Sequence, residues 1–157
     1  MIGEHSKDSP GVISCPPLVF LGALITGLLL NWFIPLRSFS SECFRLAGGL
    51  LGLAGTLAGI WGVYTLRRAG TSVRPGQPVT ALVTDGPYRF SRNPLYVALT
   101  VIYLGIVLSS GLVWLLVTLI PVLTLVHWRI VRREEVYLEA RFGDVYRAYR
   151  VRVRRWI

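Results

Sequence analysis

Three stretches of the chain, residues 17–36, 46–66 and 94–128, contain no Asp, Glu, Lys or Arg. A soluble domain of 157 residues has little use for uncharged runs of this length, whereas each helical crossing of a bilayer needs about 20 apolar residues. At about 1.5 Å per residue the twenty residues of the first run span about 30 Å, the thickness of a hydrocarbon core. The third run of 35 residues would reach about 52 Å as one helix, so it has to fold back. Ser109, Ser110 and Gly111 are the clear turn signal inside it and divide it into a third span, 95 to about 108, and a fourth, 112 to about 128. Both are short, roughly 21 to 26 Å, which implies a locally thinned bilayer or a site sunk below the headgroups.

The expected class is therefore an all-α integral membrane protein of about four transmembrane helices, with a short third/fourth helical hairpin and a cytoplasmic C-terminal helical tail. A hydrophobic fraction of 53% and a mean hydropathy of +0.55 agree with it. The chain reads as a single membrane domain, 1–157, with an N-terminal tail (1–16), two spanning helices (17–66), a connector (67–93), a helical hairpin (94–131) and the tail (132–157). Glu4, Lys7 and Asp8 replace the basic start of a signal peptide, and no small-residue cleavage site follows, so the first apolar run reads as a retained helix.

The net charge of +9 avoids the apolar runs and gathers beside them, which is the pattern of cytoplasmic loops and not of a nucleic-acid surface. Residues 67–92 hold five arginines against Asp85, and nine more lie from Arg129 onward. Both segments are expected in the cytoplasm. Four spans place the N-terminus there too, with the short connector 37–45 and the 109–111 turn on the other side. Cys15 and Cys43 lie far apart without metal-ligand spacing, so neither a disulfide framework nor a zinc site is indicated.

Gly48, Gly52, Gly55, Gly59 and Gly62 fall at alternating spacings of four and three, a smooth stripe along one helix face suited to close helix packing. The connector, rich in Gly, Pro and Thr, is expected as irregular backbone or a small hairpin around 79–84. Beyond the fourth span the chain reads as helix to Arg141, a break at Phe142 and Gly143, and a restart with Asp144 as N-cap.

Between the connector and the third span lies GPYRFSRNPLY, residues 86–96. Asn93 followed by Pro94 is a helix start, with Asn as cap and Pro set for the first turn. Such a terminus offers N–H donors and partial positive charge, to which Arg89 and Arg92 add full charges. Two readings follow: an anion site, or a capped helix with interfacial arginines. Glu134 and Glu135 lie at the mouth of the fourth span on the same side, where a carboxylate can accept from a ribose diol or an ammonium group, or simply balance Arg132 and Arg133. Tyr137, Tyr146, Tyr149, Trp128 and Trp156 form an aromatic belt near this mouth, one or two of them placed to face a cation. His127 has no acidic or cysteine partner in local spacing and reads as interfacial packing. No GxGxxG, P-loop, HExxH or GxSxG is present, and no ionisable residue sits in the middle of a span as an ion-coupled transporter would require.

The pattern GPYRFSRNPLY, an uncharged hairpin, then EEVYLEARFGDVYRAYRVRVRR resembles the isoprenylcysteine carboxyl methyltransferases and the related phospholipid methyltransferases, over roughly residues 70–155. The resemblance implies a small integral membrane enzyme that uses S-adenosyl-L-methionine to methylate a lipidic or lipidated acceptor. It implies a cofactor site built from Arg92, Asn93, Pro94 and Tyr96 on one side and Glu134 and Glu135 on the other, with Tyr146 and Tyr149 in a closing motif. Arg92 and Glu135 are then the expected catalytic residues, and Arg89, Asn93, Pro94, Tyr96, Glu134, Glu135 and Tyr146 the expected cofactor contacts. Asn93 stands where the best-known members have His; it can donate a hydrogen bond but cannot titrate near neutral pH. Ala98 stands where many have Gly. A nicotinamide-dependent membrane reductase of the sterol-reductase kind and a non-enzymatic membrane scaffold or transporter subunit are the competing readings.

Overall fold

Each uncharged run becomes helix. The computed structural model describes residues 15–38, 41–73 and 79–157, so most of the N-terminal tail, including His5, and the middle of the connector lie outside the described residues. The order is α1 (Pro16–Phe33), α2 (Glu42–Arg68), a 3-10 turn (Gly86–Arg89), α3 (Pro94–Ser110), α4 (Val113–Leu125), a π-helical segment (Val126–Val131) and α5 (Arg132–Arg152). No strand occurs among the described residues beyond one isolated bridge, Arg37 to Leu112. Three of the helices, Pro16–Phe33, Glu42–Arg68 and the column Val113–Arg152, are long and apolar enough to cross a membrane. The fourth apolar helix, α3, has 17 residues and at about 25 Å falls short of a full hydrocarbon core.

The fold-back forms where the sequence places it. Gly111 adopts φ 66° and ψ 15°, a left-handed conformation that favours glycine, and its N–H closes α3 on the Val107 carbonyl at 2.9 Å. The end of the α1–α2 connector pairs with this turn: Ser38 N–H donates to Gly111 O at 3.1 Å and Val113 N–H to Leu36 O at 3.2 Å. The Trp114 indole adds a bond to the Ile34 carbonyl at 2.7 Å. The two connectors at this end thus satisfy each other's backbone groups, as apolar surroundings require.

The glycine stripe joins α2 to α3. Gly48, Gly55 and Gly62, spaced by seven, are its buried members. A side chain at Gly55 would meet Ile102 and Ala98, and one at Gly62 would meet Leu95. The facing Gly105 of α3 is tighter: a Cβ there would stand 2.6 Å from Gly52 N and 2.7 Å from Gly48 O, both backbone atoms. α1 packs chiefly on α4, where Gly27 lies against Leu115 and Thr118. Between the pairs runs a core of Phe20, Tyr103, Val107, Leu115, Leu119 and Val122, with the Tyr103 and Thr118 hydroxyls bonded at 2.8 Å.

Three expectations change. The helix of the fourth span does not stop near Trp128; it continues through the π segment into α5, over Val113–Arg152. Its charged part does not run on straight: the chain folds back at Gly143, so that Arg150 meets Glu139 at 3.1 Å and Arg155 returns to Glu135. One extra residue in a turn rotates everything after it by about 100°, so the π segment sets the direction in which Glu134 and Glu135 leave the helix. The expected break survives as a kink at Gly143 (φ 53°, ψ −123°), but the Asp144 carboxylate accepts from the Arg147 guanidinium, at 2.6 and 3.1 Å. The connector forms no hairpin over 79–84: Val79 and Thr80 instead bond to Tyr137 and Thr71, at 3.2 Å each.

The α2–α3 contact yields a test. Gly105→Leu should lower the unfolding midpoint in detergent by the equivalent of about 1–3 kcal/mol or more, because only backbone stands in the way and it cannot yield locally. Gly49→Ala, which meets nothing within 4 Å, should leave the midpoint unchanged or raise it.

Candidate active site

At the end of the bundle opposite the Gly111 turn, the start of α1, the end of α2, the start of α3 and the first turns of α5 enclose a cavity of about 420 Å³. Roughly 300–1,000 Å³ is usual for a small-molecule site. Its lower wall is apolar, formed by Gly59, Val63 and Leu66 of α2 and by Leu95, Ala98, Leu99 and Ile102 of α3. Its upper wall is polar and contains both halves of the site expected from the sequence: Arg92, Asn93, Pro94 and Tyr96 on one side and Glu134, Glu135 and Tyr146 on the other.

Glu135 is the centre of a buried ion triad. Its Oε1 lies 2.9 Å from Arg92 Nη1, with the two side chains only 9% and 10% exposed. Arg155 binds the same carboxylate in a fork, Nε to Oε1 at 2.9 Å and Nη2 to Oε2 at 2.7 Å. Two guanidinium groups against one carboxylate leave a surplus positive charge. The buried Nε of Arg92 has no hydrogen-bond partner among the described residues, an unmet donor on a cavity-lining side chain.

Arg155 arrives from the C-terminus. After Arg152 the chain turns extended at Val153, and its backbone docks on the segment before α3. Arg92 N–H donates to Arg154 O at 3.0 Å, and Asn93 Nδ2 and Ser91 Oγ donate to Arg155 O at 3.0 and 3.3 Å. This corrects the reading of Asn93 as a side-chain cap. Its carboxamide is committed to the extended C-terminal segment and makes no cap bond, while its own N–H is taken by Ser91 Oγ at 3.1 Å.

Glu134, one residue earlier and about 100° around the helix, faces different surroundings. Its Oε1 accepts from the Tyr96 hydroxyl at 2.8 Å. Among the described residues it has no ion-pair partner, because Arg92 and Arg155 are both engaged with Glu135. Burial without a compensating cation pushes its carboxyl up to about 7, with the Tyr96 bond pulling the other way. Burial likewise raises the phenols of Tyr88, Tyr146 and Tyr149, which stay neutral. Tyr149 donates to the Tyr88 carbonyl at 2.6 Å and so fastens α5 to the 3-10 turn.

Arg89 is the expected residue that the structure leaves out. It is exposed, its guanidinium lies over the Phe90 ring at 4.6 Å, and it does not line the cavity. Conversely, Tyr88 and the start of α1, Cys15 to Pro17, line the cavity without having been expected there, and Tyr137 of the aromatic belt lines it too. His127 packs between Trp128 and Trp156, with ring centroids 5.4 and 5.9 Å away, in the interfacial role expected of it.

The cavity thus joins a charged wall to an apolar wall inside a helical membrane bundle, the class of architecture suited to a polar small molecule beside the lipid. The phospholipid methyltransferase family matches the chain over residues 44–145, well over half its length, and the protein belongs to that family of membrane methyltransferases. A 65-residue stretch is 43% identical to an uncharacterized protein of Haemophilus influenzae, covering 40% of this chain and 100% of the other. No solved structure matches. The family match begins in α2 and ends inside α5, so α1, Tyr146, Tyr149 and Arg155 are contributions of this chain outside it.

Removing one member of the triad should be costly. Glu135→Ala leaves two guanidinium groups without their carboxylate and should lower stability by about 3–5 kcal/mol, read as a fall in the unfolding midpoint. Arg155→Ala should cost less, since its side chain is 29% exposed and Arg92 still pairs with Glu135.

The Glu134 shift carries its own pH signature. With the folded pKa raised from 4.5 to about 7, the folded state binds more protons than the unfolded state in that window. This group's stabilisation is full below 4.5 and is lost as pH rises through about 7. The unfolding midpoint of the wild type relative to Glu134→Gln should therefore fall between pH 5 and pH 8; a flat difference would refute the shift.

Proposed function

We propose that the cavity binds S-adenosyl-L-methionine and that the protein transfers its methyl group to a lipidic acceptor. The observation that carries the reading is the pairing of opposite electrostatic characters across one cavity. One side of the polar wall has surplus positive charge with an unmet Arg92 donor, and the other side has the unneutralised Glu134 carboxylate. A molecule with a carboxylate at one end and a sulfonium and ammonium nearby is complementary to both. Bound there, it supplies an electrophilic methyl group.

The residues divide the work. Arg92, with the N-terminal end of α3 at Pro94, holds the carboxylate. Glu135 does not reach for the ligand, since both its oxygens are taken; its role is to fix Arg92 in place. Tyr96 and Tyr146 orient the carboxylate and the guanidinium, bonding Glu134 at 2.8 Å and approaching Arg92 at 3.5 Å. The apolar wall of α3, running from Leu95 to Ile102 toward the bilayer interior, suits the hydrocarbon of a lipidic acceptor and keeps water from the transfer. Family membership favours this reading over a nicotinamide-dependent reductase or a scaffold.

Calorimetry of the detergent-purified protein tests the site. S-adenosylhomocysteine should bind, and Arg92→Ala should weaken it about tenfold or more, the scale of a lost charged hydrogen bond. Equal affinity for both proteins would remove Arg92 from the site. The arginine-rich segments place the cavity end in the cytoplasm in this reading. Two exposed thiols report on that: Cys15 starts α1 at the cavity end, and Cys43 starts α2 at the other. A membrane-impermeant maleimide applied to intact cells should label Cys43 and spare Cys15, and the reverse result would invert the orientation.

A further inference from the structure

The two adjacent glutamates are chemically unequal. Glu135 is saturated by two arginines, whereas Glu134 makes a single bond from Oε1 to the Tyr96 hydroxyl and lines the cavity. Its second oxygen, Oε2, has no partner among the described residues. The groups around it do not neutralise it. Tyr96 from α3 and Tyr88 from the 3-10 turn stand close as neutral phenols, Cys15 comes from the start of α1, and the cation of Arg92 is held by Glu135. A carboxylate retained without a cation in a largely apolar cavity is costly unless it does something there.

We propose that Glu134 is a catalytic residue, the proton acceptor that takes a proton through Oε2 from a protic nucleophile on the lipidic acceptor. This rests on reading the cavity as the methyl-transfer site, and it names the acceptor's chemistry: an amine, hydroxyl or thiol, not a carboxylate, which would have no proton to give up. The bond between the nucleophile and its proton breaks, an O–H bond forms at Glu134, and the electron pair stays on the nucleophile for the incoming methyl group. Tyr96 holds Oε1 and leaves Oε2 unpartnered on a cavity-lining side chain. A proton-accepting carboxylate works best with a pKa close to the working pH, and Glu134 meets that condition.

Three measurements on full-length wild type and Glu134→Gln test this. S-adenosylhomocysteine lacks the sulfonium charge, so its binding by calorimetry reports the donor site with less dependence on the Glu134 charge than the binding of S-adenosylmethionine. Transfer of an isotopically labelled methyl group from S-adenosylmethionine into a total membrane lipid extract reports turnover. Infrared difference spectra across pH report a protonated carboxyl directly, with no acceptor present. We expect Glu134→Gln to lose at least a hundredfold in transfer, in the usual range for a general base, while S-adenosylhomocysteine affinity changes by less than tenfold. The acidic limb of the wild-type pH–rate profile should disappear in the variant, as should a carboxyl band titrating near neutrality. Transfer that falls no further than S-adenosylhomocysteine affinity would overturn the proposal and leave Glu134 with donor binding alone, and so would label recovered on a fatty carboxylate as a methyl ester. Failure of the wild type to bind S-adenosylhomocysteine would instead strike the underlying reading of the site.

Discussion

The buried carboxylate of Glu135 is the point through which the site is assembled. It draws Arg92 from the start of α3 and Arg155 from the extended C-terminal segment onto one helix turn of α5. Removing three ionised groups from water is expensive, and the cost is offset only when each charge is met closely, as it is here by a fork from Arg155 and a second contact from Arg92. Bonds from Arg92 and Asn93 to the backbone at Arg154 and Arg155 hold the same three segments together independently of charge. Position is thereby fixed twice, which suits a site whose walls come from opposite ends of the sequence.

That arrangement depends in turn on where the membrane helices put α3. The close backbone approach of Gly105 to Gly48 and Gly52 sets α3 against α2 without intervening side chains. Lipid tails offer no hydrophobic reward for helix association, so close packing and the paired connectors at the Gly111 end carry much of the positioning. The start of α3, so positioned, closes the cavity together with the start of α1, the end of α2 and the first turns of α5.

Much of this was legible in the sequence. Uncharged runs gave the helices, the Ser109–Gly111 signal gave the fold-back, and the glycine spacing gave the α2–α3 contact, because each is a local pattern with a fixed period. The two halves of the site were legible for the same reason: Asn-Pro marks a helix start, and an acidic pair interrupts an arginine-rich helix. What was not legible depends on distance in the chain. Arg155 is one of nine arginines after the fourth span, and no local spacing distinguishes the one that reaches Glu135. Asn93 carries the residue type of a cap, yet a carbonyl 62 residues away competes for its carboxamide. The π segment has no compositional mark, and the share of α1 in the cavity follows from its packing on α4.

An adjacent Glu pair is an economical way to obtain two different carboxylates. Successive residues on a helix point about 100° apart, so two neighbours cannot serve one partner equally. Here one direction meets guanidinium groups and the other meets a phenol and the cavity. The first carboxylate is held as a structural anion; the second is left near the edge of ionisation at neutral pH. Exchanging their surroundings would need only a one-residue change in helical register, and the π segment just before them is the element that sets that register. The chemistry available to the glutamate pair is in this sense decided in the backbone of Val126–Val131, just before the pair begins.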